Sequence, residues 1–183
     1  MTAPAVPTSF PIRLLGAIAL DSAIYEEVEA DRSATTQAMV VVVLSSLAAG
    51  VGASGMGGLS ARHAFTISAI ALIAWAAWAL VTFEIGARLL PEPQTRVDPG
   101  ELMRTIGFSS APGMLNVFGV IPSVTMPVFA ITAVWMLLTM IVAVRQALDY
   151  KSTVRAVAVC GLGWALAIAI ALGLGLFFGP TVS

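Results

Sequence analysis

From Thr105 to Val144 the chain reads TIGFSSAPGMLNVFGVIPSVTMPVFAITAVWMLLTMIVAV, 40 residues without Asp, Glu, Lys or Arg. As one α-helix this stretch would run about 60 Å, twice the hydrocarbon thickness of a bilayer. It must therefore fold back, and Gly119, Pro122 and Pro127 near its centre are the helix breakers expected at a tight reversal. Three more charge-free gaps, Ser33 to Ala61, His63 to Phe83 and Ala156 to Ser183, each fit a single crossing. The expected fold class is all-α. It is an integral membrane bundle of five transmembrane helices, over about 36–56, 64–88, 103–120, 125–147 and 154–178, with an N-terminal interfacial, amphipathic helix.

Composition points the same way. Of 183 residues, 58% are hydrophobic and 10% charged, the mean hydropathy is +0.95 and the net charge is −1. Soluble domains carry about a quarter charged residues, so a disordered chain, a nucleic-acid binder and an ordinary cytosolic enzyme are excluded. The single cysteine, Cys160, allows neither an internal disulfide nor a cysteine-based zinc site.

Positive charges orient the bundle. With five crossings and the N-terminus inside, Arg13, Arg32, Arg88, Arg96, Arg104, Arg145, Lys151 and Arg155 fall on one side and only Arg62 on the other. If the 40-residue gap crossed once, the split would be five against four. Cytoplasmic loops carry the Lys/Arg excess. The expected location is the inner cell membrane, multi-pass, with the N-terminus cytoplasmic and the C-terminus on the outer side. The third span is the weak one, with 17 residues between Arg104 and Pro122, interrupted by Pro112 and Gly113. Its backbone must find partners on neighbouring helices or a local water, and a re-entrant segment is the alternative for that piece.

Ahead of the first span, residues 1–11 read as a flexible, Pro-rich tail and 12–33 as a cytoplasmic interfacial and acidic segment. Ile12–Leu20 is apolar but too short to cross, and an interfacial helix would place Leu14, Leu15 and Ile18 on one face. Asp21 is a candidate N-cap for a second helix with Ile24 and Val28 on one face and Glu26, Glu27, Glu29 and Asp31 elsewhere. That helix reads as a solvated element held off anionic lipid. The alternatives are a docking surface for a basic partner or a cation site at Glu27 and Asp31.

Charges at membrane depth are functional candidates. Glu84 and Arg88 stand at i,i+4, as do Arg145 and Asp149, while Glu101 and Arg104 stand at i,i+3. With Tyr150 and Arg155 they are expected to form one polar cluster on the cytoplasmic side, binding a lipid headgroup or pinning helix ends together. Gly161, Ala165, Ala169 and Gly173 make a small-residue stripe suited to packing within the monomer or to dimerisation. No catalytic, cofactor or metal set can be assembled: His63 is the only histidine, and no nucleotide-binding or hydrolase motif occurs. Cys160 reads as an inert packing residue, and Trp75, Trp78, Trp135 and Trp164 as bundle or interface residues.

Arg104-Thr-Ile-Gly107-Phe108-Ser-Ser-Ala-Pro112-Gly113 resembles the Gly-[Phe/Tyr]-x-x-x-Pro signature of the Yip-domain family, the Ypt-interacting proteins. Val134 to Tyr150, and Asp21 to Asp31 leading into the first span, are similar to its bacterial branch. The resemblance runs from about Arg13 to Phe178. It implies a five-span helical membrane protein, non-catalytic and without a cofactor, that organises lipids or partner proteins at its cytoplasmic face. Homo-oligomers or complexes with other membrane proteins are then the expected partners, and nucleic acid is not. Eukaryotic members associate with Rab-type GTPases. The Ala/Val/Gly/Arg-rich usage with one lysine resembles a GC-rich bacterium, so a Rab-type partner is not carried over. The competing expectation is a small ion or solute transporter or channel using Glu84 with Arg88 and Asp149.

Overall fold

The computed structural model describes residues 8–57, 61–93, 95 and 98–178, with side-chain surroundings as far as Leu166. The expected loose tail lies largely outside these residues. Among the described residues every regular element is helical: α1 (Phe10–Ile18), α2 (Ser22–Ala30), α3 (Ala34–Gly57), α4 (Ala61–Glu84), α5 (Pro99–Ser109), α6 (Thr125–Ala147) and α7 (Thr153–Phe178). A π-turn, Ile85–Leu89, extends α4, and a 3₁₀ helix, Ala111–Val120, follows α5. Among the described residues three helices, α3, α4 and α6, are long and apolar enough to cross a membrane.

Their surfaces divide the labour. Half of the most apolar stretch of α3 is buried, against 6% in α4, because α3 packs against α4, α5, the 3₁₀ helix and α6. Phe65, Ile73 and Leu80 of α4 and Ile131 and Val134 of α6 face outward. A contiguous outward apolar surface of that kind is what hydrocarbon solvates.

The weak third span is not one α-helix. It changes at Ser110 into ten residues of 3₁₀ helix, a length seldom seen because 3₁₀ geometry is poorer than α. Two causes are visible. Pro112 lacks the amide that an α-ladder would direct to the Phe108 carbonyl and a 3₁₀ turn to Ser109, and Thr139 Oγ1 of α6 donates to the Ser109 carbonyl at 2.7 Å. Glycines of α3 then let the 3₁₀ backbone come close: a Cβ on Gly52 would strike the Asn116 carbonyl, and one on Gly55 the Gly119 carbonyl. Nearer the start, a Cβ on Gly107 would stand 2.7 Å from Ala38 Cβ. Ala38, Gly52 and Gly55 thus face Gly107, Asn116 and Gly119 in the same order, so this unit runs parallel to α3 along its length. Seventeen residues of α-helix cover about 26 Å, and twelve residues cover nearly as much at the 3₁₀ rise of ~2.0 Å. A short segment is stretched to match a long one.

At the end of the bundle that carries Ala34, Glu84, Pro99 and Ala147, here the charged end, α1 and α2 form a helical corner. Leu20 takes φ 64° after α1, and the amides of Leu20 and Asp21 return to the Ala17 and Gly16 carbonyls, a Schellman closure. Asp21 then caps α2, accepting from the Ala23 amide at 2.9 Å. The apolar face expected for α1 is split: Leu14 and Ile18 pack on the core, whereas Leu15 is 65% exposed. Nor is α2 a solvated helix. Ile24, Tyr25 and Val28 are buried against α5 and α6. Trp135 Nε1 ties the corner down by donating to the Ile18 carbonyl at 2.9 Å.

Candidate functional site

Three arginine-centred contacts shape the charged end. Arg13, 1% exposed, donates through Nε and Nη2 to Glu27 Oε1 (2.9 and 2.8 Å), through Nη2 to Asp31 Oδ2 (2.6 Å) and through Nη1 to Gln37 Oε1 (3.1 Å). Glu27 also accepts from the Thr8 amide and hydroxyl. Glu27 and Asp31 do share a face, but Arg13 occupies it, so the expected cation site is filled by the chain's own guanidinium. Hydrogen bonds from Ser33, then Arg13, hold the Asp31 carboxyl down at about 2. Burial would raise Glu27, yet bonds from Arg13 and Thr8 outweigh it and keep it below the ordinary range.

Arg104, 4% exposed, spends its donors on the carbonyls of Val28 and Glu29. These lie in the last turn of α2, where the helix dipole is negative. The expected partnership of Arg104 with Glu101 gives way to this one because the α2 carbonyls lack helical partners and a guanidinium supplies several donors at once. At the end of α6, Asp149 takes φ 52°, and the amides of Asp149 and Tyr150 close on the Gln146 and Arg145 carbonyls. Arg145 Nε donates to the Tyr150 carbonyl at 3.3 Å.

These fixings leave a recess of about 420 Å³ between α2, α5 and the end of α6, lined by Glu26, Glu29, Glu101, Arg145, Gln146, Asp149 and Tyr150. Four of the lining residues are carboxylates and one is a cation. Glu29 registers the imbalance: burial, then Asp149, Glu101 and Glu26, push it up to about 7 against the pull of Arg104. Among the described residues no group of three or more His, Cys, Asp or Glu is arranged to hold a metal ion. The recess suits a spread-out cation, an ammonium or guanidinium carrying its own donors, better than a bare metal.

The expected polar cluster divides into three. Glu101, Arg145, Asp149 and Tyr150 meet at the recess, with Glu26 and Glu29 added from α2 and Arg104 behind. Arg155 turns away to the Pro91 carbonyl (2.8 Å) and Glu92 (3.6 Å), whose carboxylate also accepts amides at the start of α7. Glu84 and Arg88 pair at 2.8 Å on the outside, 50% and 70% exposed. They part from the rest because α4 ends in the π-turn, whose Gly86 and Leu90 carbonyls lie 2.9 and 2.7 Å from the Tyr150 hydroxyl. Glu84 instead borders an apolar groove of about 420 Å³ formed by Trp75, Leu80, Phe83, Leu102 and Met103. Glu84 and Asp149 therefore line separate cavities.

The motif residues have mechanical roles: Gly107 admits Ala38, Phe108 is fully buried edge-on to Phe10 (centroids 6.3 Å apart), and Pro112 starts the 3₁₀ helix. In the small-residue stripe, Gly161 and Ala165 are exposed, and a Cβ on Gly161 would meet nothing within 4 Å. Ala169 and Gly173 lie beyond the residues whose surroundings are described. Cys160 is buried. Sequence reasoning overlooked Arg13 as a structural centre; the i,i+4 carboxylates Glu27 and Asp31 were its signal, lacking only a partner. Among the described residues the chain is thus all-helical, with three helices fit to span a membrane, and it matches no protein-family model, no curated protein and no solved structure.

Proposed function

We propose that this is a non-catalytic, five-crossing membrane protein of the Yip class, which docks a basic segment of a partner membrane protein at its cytoplasmic end. The acidic recess carries the reading: four carboxylates beside one arginine, on a rim held in shape by Arg13 and Arg104. The crossing count draws support from the α5–3₁₀ unit running alongside α3 and from the eight-to-one split of positive charge. Class membership rests on Gly107, Phe108 and Pro112. By the same reading the membrane is a bacterial inner membrane and the charged end faces the cytoplasm.

Fluorescence anisotropy of a labelled Arg/Lys-rich peptide tests it, with the protein in nanodiscs of zwitterionic lipid. Binding that weakens as salt rises, and falls about tenfold in Glu101→Gln/Asp149→Asn, is expected. A peptide that binds both proteins equally, or neither, sinks the reading.

A further inference from the structure

A third cavity, of about 180 Å³, lies between α3, α4, the 3₁₀ helix and α6. Ser45 and Ser46 are the twelfth and thirteenth of 24 residues in α3, and Trp75 is the fifteenth of 24 in α4, so the cavity sits near mid-height of the apolar helices. Its lining is mostly apolar but includes polar groups at a depth where polarity is costly. Ser45, Ser46, Trp75, Ser110 and Asn116 all border it. Asn116, the only asparagine in the chain, is 7% exposed and its Oδ1 has no hydrogen-bond partner. The Trp75 indole N–H is likewise buried without one. Native interiors rarely leave such groups unpaired unless something else satisfies them.

We infer that this chamber is a binding site for a small neutral molecule that both donates and accepts hydrogen bonds, of hydroxyl or amide chemistry. The volume admits about six waters or a few-atom solute at ~30 Å³ per water. No charged side chain lines it, so an ion would lose its water without a counter-charge. The Asn116 amide and the Ser45 and Ser46 hydroxyls each carry both a donor and an acceptor, while the Ser110 hydroxyl already donates to the Gly107 carbonyl. Trp75 also walls the apolar groove beside Glu84, so the two cavities share this residue.

The test uses the full chain in nanodiscs and ligand-observed saturation-transfer NMR, with acetamide and glycerol as probes and acetate and methylammonium as charged counterparts of similar size. Saturation of the neutral pair alone is expected, falling at least fivefold in Asn116→Leu and in Ala71→Met. The second variant fills the chamber without removing a polar group, and so decides the matter if the first fails to fold. Asp149→Asn, at the separate acidic recess, leaves the signal intact. Equal saturation in wild type and Ala71→Met, saturation by the ions as well, or none by either neutral probe (a chamber holding water only) overturns the inference.

Discussion

A guanidinium that is 1% exposed has given up nearly all its water, and for Arg13 the loss is offset by two carboxylates and an amide oxygen within 3.1 Å. Removing the cation strands Glu27 and Asp31 against each other, so Arg13→Met is expected to destabilise the α1–α2 corner by about 3 kcal/mol, the low end for a broken buried pair. Thermal unfolding and protease nicking within residues 8–33 would report it. Two carboxyl groups give the corner a pH window. Asp31, held at about 2, contributes stability that is complete above its unfolded value near 4 and is lost as pH falls toward 2. Glu29 has the opposite sign: raised to about 7, its folded form holds a proton more tightly than the unfolded chain, so stability declines as pH rises from about 4.5 through 7. Glu29→Gln should flatten that decline and leave the acid limb unchanged; Tm measured from pH 3 to 9 decides. Of all this the sequence displayed the shared face of Glu27 and Asp31. It hid Arg13, because a contact across fourteen residues depends on the turn at Leu20 and on packing against α5 and α6.

The segment from Pro99 to Val120 owes its form to one missing amide and one hydroxyl on another helix. Pro112 marked a break in the sequence, but nothing local announced that ten residues would continue as 3₁₀. That outcome depends on α3 presenting Gly52 and Gly55 and on α6 presenting Thr139. Thr139→Val leaves the Ser109 carbonyl without the hydroxyl at 2.7 Å and should cost about 1–3 kcal/mol. In the 3₁₀ register, where residue 112 bonds to residue 109, Pro112→Ala supplies an amide to that carbonyl from within the chain. The double variant should therefore recover much of the loss, a favourable coupling that a thermodynamic cycle on Tm or denaturant midpoints reads directly. Strict additivity would mean that the hydroxyl and the proline are unrelated. Gly107→Val probes the same segment sterically. Its Cβ would stand 2.7 Å from Ala38 Cβ, so overpacking of about 1–3 kcal/mol is expected, with lost helix association in detergent.

Charge-free gaps located the long helices well, since hydrocarbon burial is set by composition and length, which a sequence displays. How the polar residues are grouped was less legible, because the π-turn after α4 and the left-handed Asp149 steer side chains by geometry that no spacing encodes. The number of crossings is the remaining consequence, and it hangs on the turn between the 3₁₀ helix and α6. Gly119 lies against Gly55, near the far end of α3, so Ser123 belongs at the end that His63 occupies and opposite Lys151. All three side chains are exposed, and the lone thiol, Cys160, is buried and is changed to alanine to give a thiol-free background. In that background His63→Cys and Ser123→Cys should react with an impermeant maleimide on intact cells, and Lys151→Cys only after lysis. A re-entrant third segment would bring Ser123 back to the charged end and shield it from the reagent while His63→Cys still reacts. Co-labelling of positions 63 and 123 carries the five-crossing count, and with it the placement of the acidic recess on the cytoplasmic side.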